Sequence, residues 1–338
     1  MKKIIYVLLA ACIVLGSCST GEAAAGAAAK LFGGSSKALL FLSCRAVSED
    51  EIEFVFSQPV TVNFLNFEPA LAVASIEDGS TVKVRLNEIP KPGMEITAEI
   101  LAEDTDKNTI NVLIPFRARN NRMPRLVINE IRTENTKPKC EFIEFKTLTA
   151  GNLGGMRVFI HGNTNAAKQT IYEFLPVEVK KDEYLVLNLR MTEADCKDEY
   201  GTNLAESGGT NSSPGARDFW IPENSKLIHK EASAIYVLDQ DDRALAAVMI
   251  SNSAASWWAK DYLAEAAEFL FKQDAWKSAD GKPGEPADAV SSANTTNTRT
   301  ICRDESAENT NTAAGWYITE GSGATPGKSN NPKRYVPK

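Results

Sequence analysis

The chain has 338 residues, 43% hydrophobic and 24% charged, a balance that buries real cores and a length that suits two or three domains. Its 37 Lys and Arg against 44 Asp and Glu give a formal charge of -7, so there is no general basic excess to neutralise phosphates and a nucleic-acid partner is not expected. Six cysteines are too few for a disulfide-dense mini-scaffold, and two histidines, His161 and His229, cannot build a His-rich metal cage, so neither cofactor nor metal is expected.

Met1-Lys2-Lys3 sets positive charge ahead of the apolar run Ile4 to Leu15, which Gly16-Ser17-Cys18 ends. This is the pattern of a secretory signal peptide over residues 1–17. The run is shorter than the roughly 20 apolar residues that a membrane span requires. Leu15-Gly16-Ser17-Cys18 resembles a bacterial lipobox, which implies cleavage before Cys18 and a lipid on its thiol. The Ser19 that follows is compatible, in lipoproteins, with an outer-membrane address. Removing residues 1–17 takes away two lysines and no acids, which leaves 35 basic and 44 acidic residues and a charge of -9. The Ala-, Gly- and Ser-rich stretch that completes residues 18–37 reads as a tether of roughly 24 Å mean reach.

From Leu39 to Arg117 the sequence alternates with the period of half-buried strands: Ile52, Phe54 and Phe56; Val82, Val84 and Leu86; Met94, Ile96, Ala98 and Ile100. Turn chemistry at Ser57-Gln58-Pro59, Asp78-Gly79 and Lys91-Pro92-Gly93 separates the runs. An antiparallel sandwich over residues 38–118 follows. Glu53-Phe54-Val55-Phe56-Ser57-Gln58-Pro59-Val60 resembles the strand and turn of a bacterial Ig-like domain, and Asp104 to Asn108 resembles its later turn, with Lys107 where that family carries Gly. Asp104, Asp106 and Asn108 also have the spacing that opens a calcium loop, but Thr109 and Pro115 stand where the loop needs glycine and a bidentate acid, which favours a hairpin turn.

Arg119 to Pro124 reads as a polar linker, and a second unit over residues 125–332 starts at Leu126, with 333–338 as a tail. Ile128-Asn129-Glu130-Ile131, Glu141-Phe142-Ile143-Glu144-Phe145 and Leu153-Gly154-Gly155-Met156 resemble the opening elements of the lamin-tail domain. Gly315-Trp316 and Thr325-Pro326-Gly327-Lys328-Ser329-Asn330 resemble its close. The departures are Phe142 for Trp, Phe145 for Leu, Lys146-Thr147 where Asn is common, and unusual length. The resemblance implies a second Ig-like β-sandwich, enlarged by insertions. Independently, Glu183 to Leu189 reads as a buried strand and Ser233 to Ile250 as a hairpin, while the polar excursion Met191 to Pro222 reads as a surface loop. Trp257 to Trp276 has helical spacing, with Ser256 as its N-cap. Trp257, Trp258, Phe269 and Phe271 either pack this helix on the sandwich or face a partner or membrane. Ser278 to Thr300 reads as a returning loop.

Glu130, Glu141 and Glu144 are the candidates for acid–base chemistry, but Glu141 and Glu144 are three apart in a strand and so point to opposite faces, which favours a structural role. No Walker, zincin or nucleophile-elbow motif occurs. Once Cys18 carries lipid, Cys44, Cys140, Cys196 and Cys302 allow three complete pairings, of which Cys140 with Cys302 is slightly favoured over free thiols. The expectation is mainly β architecture with two Ig-like antiparallel sandwiches, in a non-catalytic envelope lipoprotein held on the membrane by its lipid and displaying loops to a protein or glycan partner. The alternatives are an envelope hydrolase and a calcium-dependent adhesin.

Overall fold

The computed structural model describes residues 38–162, 169–222 and 225–337, and the chain divides into two units. The signal peptide, Cys18 and the tether lie outside the described residues.

The first unit contains residues up to Arg45, with 51–88 and 97–116. Its strands are β1 (Phe41–Ala46), β2 (Glu51–Glu68), β3 (Val73–Glu77), β4 (Gly79–Leu86), β5 (Glu95–Asp104) and β6 (Thr109–Arg117). They join in the order β3-β4-β2-β5-β6, with β1 on β2. The long β2 breaks register between Val55 and Val60, pairing with β4 before the break and with β5 after it. Ile52, Phe54 and Phe56, then Val82, Val84 and Leu86, then Ile96, Ala98 and Ile100 are buried, as the period of two requires. Ser57-Gln58-Pro59 is therefore not a turn but lies within β2, where a proline without an N–H is tolerated because the ladder is broken. Between β5 and β6, Asp104 accepts the amides of Asp106 and Asn108, each at 2.9 Å, and the Asn108 side chain at 2.8 Å. Lys107 takes the left-handed φ of 67° that glycine would adopt at no cost. The oxygens of this turn thus serve its own backbone.

The second unit contains 46–50, 89–96 and everything from Arg117. Its strands are β7 (Leu126–Arg132), β8 (Phe142–Thr147), β9 (Gly151–Asn152), β10 (Arg157–Gly162), β11 (Gln169–Glu173), β12 (Glu178–Val179) and β13 (Tyr184–Asn188). They continue with β14 (Arg217–Trp220), β15 (Ala232–Leu238), β16 (Ala244–Ser251), β17 (Val290–Ser291), β18 (Ile301–Arg303) and β19 (Trp316–Ile318). One sheet runs β14-β13-β8-β7-β18-β19, another β11-β10-β15-β16-β17, and β9 pairs with β12. Most pairs are antiparallel; β13 with β14 and β16 with β17 are parallel. Ile128, Ile143, Phe145, Leu185 and Leu187 of the first sheet share one core with Val158, Ile160, Ile235, Val237, Val248 and Ile250 of the second. Full burial of each such side chain contributes about 1.5–3 kcal/mol.

Three expectations are corrected here. The linker Arg119 to Pro124 belongs to this unit: buried Asn120 donates to the carbonyls of Asn152 and Gly154 at 2.8 and 2.9 Å, and Arg119 grips Asp241 with two 2.6 Å bonds. The excursion Met191 to Pro222 is not merely a surface loop, because it supplies β14 and buries Cys196, Glu199 and Trp220. The helix α1 spans only Asp261–Lys272 and burying Leu263, Ala266, Ala267 and Leu270 fixes its inner face. It starts after Lys260, whose backbone is extended and gives no side-chain cap, so Ser256 caps nothing. The chain before it bends without forming a helical turn, and Trp258 is buried with its indole N–H donating to the Gly284 carbonyl at 2.8 Å.

Candidate functional site: a buried polar row and the recess beside it

Alternation in the sheet that contains β7 and β8 sends Ile131, Ile143 and Leu185 into the core and their neighbours to the opposite face. Across that face the register aligns Tyr317, Cys302, Glu130, Glu144, Val186 and Asp218, one from each of six strands. An outer face would ordinarily meet water, yet Glu130, Glu144 and Asp218 are completely buried. The cover comes from the 191–222 excursion on one side and the chain after β19 on the other.

The acids hold that cover. Glu130 accepts the Thr325 amide at 3.0 Å and the hydroxyl of Thr300 at 2.5 Å. Glu144 accepts the Gly327 amide at 2.6 Å and the Asn129 side chain at 2.8 Å. Glu305 accepts the Asn330 amide at 2.8 Å and pairs with Lys146 at 2.6 Å. Asn330 returns its own side-chain donors to the Asn129 and Arg303 carbonyls at 3.0 and 2.8 Å. Within the closing motif, Thr325 and Gly327 therefore dock on strand acids 195 and 183 residues away, while Asn330 docks on the nearby Glu305 and on the remote Asn129 carbonyl. Gly327 has a φ of 77°, and a Cβ there would lie 2.7 Å from the Gly215 carbonyl carbon, so the two covering segments meet at glycine backbone. On the excursion, Asp218 accepts Ser213 N at 2.6 Å, with Ser212 and Asn188 at 3.0 Å.

Burial pushes the Glu130 and Glu144 carboxyls up, Glu144 strongly, against the pull of their hydrogen bonds. Burial likewise raises Asp218 to about 6. Burial also acts on Glu305, but Lys146 together with the Asn330 amide and the Asn129 side chain outweighs it and holds that carboxyl low. Glu141 lies just before β8, away from this row, and forms a buried bidentate pair with Arg190 at 2.6 and 2.8 Å. The three acids thus divide into two row members and one ion pair. His161 bonds the Tyr236 hydroxyl at 2.9 Å and stacks on its ring, while the His229 Nε2 is buried without a hydrogen-bond partner among the described residues.

A second row beside the first consists of Arg132, Phe142, Asn188 and Trp220 on β7, β8, β13 and β14. Between the two covering segments, above the buried Arg132, Phe142 and Asn188 of this row, lies a recess of about 200 Å³ with Lys139, Ser213 and Pro326 among its walls. Sequence reading passed over Arg132; the available signal was its place two residues after Glu130, on the same face.

The favoured Cys140–Cys302 bridge is overturned, since both thiols are free and buried. Cys302 sits opposite Glu130 against Thr300, whereas Cys140 precedes β8 and faces Asn188, on the other side of the β7–β8 pair. Burial raises the Cys140 thiol to about 12 and Cys302 higher, so thiolate is scarce. Maleimide should modify these two cysteines only after unfolding, and electrophoretic mobility should not depend on reductant; a mobility difference traced to this pair would contradict the assignment. Of the four candidate aromatics, Trp257 is 71% exposed, Trp258 is buried, and Phe269 and Phe271 are half-buried, Phe269 lying 5.8 Å from the Tyr236 ring. They form no common exposed face.

These features define a mainly β protein whose second unit buries both faces of one sheet. Residues 124–318 match the family described as TP_1001_2nd, protein second domain, and the chain belongs to that family. A relative from Treponema pallidum (strain Nichols), described as an uncharacterized protein, is 25% identical over 214 residues, covering 61% of this chain. The chain spans about half that relative's length, 53%. Among solved structures, the N-terminal part of the bacterial S-layer protein SbsC aligns at 15% identity over 44% of this chain and 40% of that one, with a TM-score of 0.25.

Proposed function

We propose that this is an exported lipoprotein, anchored through Cys18 in the cell envelope at the outer membrane, whose two β units form a non-catalytic binding or structural module. The Ig-like and lamin-tail resemblances fit that reading. The observation that carries it is the use of the acids: Glu130, Glu144 and Glu141, the groups best suited to proton transfer, are engaged by backbone amides or by Arg190. A carboxylate committed to holding the chain is poorly placed to reach a reacting atom. Cys18→Ala should move the protein from the detergent phase to the aqueous phase on Triton X-114 partitioning, and unchanged partitioning would remove the anchor. A screen against glycan, peptide and ester substrates should show no turnover. Turnover that Glu130→Gln or Glu144→Gln abolishes in a folded protein would instead establish the hydrolase reading.

A further inference from the structure

Arg132 is 8% exposed, yet its guanidinium donates one hydrogen bond, to the Cys140 carbonyl at 3.3 Å, and its Nε has no partner among the described residues. A buried arginine stays charged, and leaving its donors unmatched is costly. The Phe142 ring, 4.8 Å away, offers a cation–π contact, and Glu130, two residues back along β7, acts on the guanidinium through space while its oxygens accept hydrogen bonds from Thr300 and Thr325. Lys139 adds a second cation at the recess wall and makes no ion pair among the described residues. Asn211 braces the wall by accepting Cys140 N at 3.1 Å and donating to the Pro138 carbonyl at 2.7 Å, which holds the opening in shape without a ligand. The remaining lining is mixed: Pro138 and Pro326 offer accessible apolar surface, Phe142 and Val186 lie buried beneath, and Asn188, Thr210, Ser212 and Ser213 are polar.

Two cations beside an apolar wall select a carboxylate that carries an apolar group. At about 200 Å³ the recess falls below the roughly 300–1,000 Å³ of sites that engulf a whole small ligand, so it holds one residue or group of a larger partner. An acyl chain would need a longer channel than this recess offers. We propose that the recess captures the C-terminal carboxylate of a peptide ending in an apolar residue, with Arg132 and Lys139 on the carboxylate and Pro138 and Pro326 on the side chain. This rests on the binding-module reading and supplies its partner class.

The test uses the mature chain, with N-acetyl-leucine, N-acetyl-leucinamide, N-acetyl-glycine and inorganic phosphate as probes, followed by the Arg132 Nε–H resonance. N-acetyl-leucine should bind saturably and shift that resonance. The amide, the glycine compound and phosphate should each bind at least tenfold more weakly, the scale of a charged hydrogen bond or a buried side chain. Arg132→Gln should abolish binding, and Lys139→Gln, a half-buried position, should weaken it two- to fivefold with the melting temperature unchanged. Should Arg132→Gln fail to fold, the Lys139 variant and the probe series still decide. Equal binding of amide and acid, equal binding of phosphate, or no effect of Lys139→Gln would overturn the proposal. The detergent-partitioning and turnover results do not depend on any of these outcomes.

Discussion

Replacing Glu141 by alanine will destabilise the second unit by about 3–5 kcal/mol, the cost of breaking a buried ion pair from one side. The Glu141 side chain is fully buried and Arg190 is 10% exposed, with Nε and Nη2 both on the carboxylate. Taking the carboxylate away leaves a buried guanidinium without its counter-charge, while the backbone bond from the Leu189 amide to the residue 141 carbonyl is retained. Urea unfolding followed by tryptophan fluorescence reads this unit alone, since Trp220, Trp257, Trp258, Trp276 and Trp316 all lie within it. The double variant Glu141→Leu, Arg190→Met should recover most of the loss, because the desolvation cost of both charges disappears with their attraction. A loss below about 1 kcal/mol in Glu141→Ala would show that the pair contributes no more than an exposed one.

The contrast between Glu141 and Glu144 shows what the sequence could and could not disclose. Their separation by three placed them on different sides, and the structure separates them. Period-two alternation likewise identified the buried faces of β2, β4 and β5, and the long apolar run of β13. Alternation reports one strand at a time, however, and says nothing about what lies on its second face. Asp218 reaches the row from a segment that read as polar loop, and Thr325, Gly327 and Asn330 reach it from the far end of the chain. The burial of Glu130 and Glu144 is therefore a tertiary fact carried by remote backbone amides. The Cys140–Cys302 expectation failed for a related reason: strands at opposite ends of a domain do meet, but β8 and β18 flank β7 rather than one another. Arg132 was overlooked because its meaning depends on the recess left between two covering segments.

Acidification from pH 7.5 to about pH 5 will stabilise the second unit, and Glu144→Gln will remove a large part of that effect. The sign follows from linkage: Glu130, Glu144 and Asp218 have folded-state values above their unfolded ones, so the native state binds more protons than the unfolded chain in this range. Their contribution is complete below the unfolded carboxyl range and is lost as pH rises through the folded values, which for Asp218 is about 6. Glu305 is shifted the other way, so its opposing slope falls near and below the ordinary carboxyl range, whereas His161, held low by burial, opposes the trend within the window. The three raised carboxyls outnumber it, and Glu144→Gln isolates their part. A partner for the proton is at hand, because the Asn129 Oδ1 is buried without a hydrogen bond and the Asn129 amide can turn to present it to a protonated Glu144. Glutamine at 144 imitates that neutral state and keeps an oxygen for the Gly327 amide, so at pH 7.5 the variant should be more stable than the wild type and its stability less dependent on pH. Glu144→Ala should instead lose about 1–3 kcal/mol at every pH, because the Gly327 N–H is then buried without an acceptor. If Glu144→Gln were as damaging as Glu144→Ala at pH 7.5, the ionised carboxylate itself would be the tie that holds the closing segment, and the stabilisation on acidification should then be absent as well.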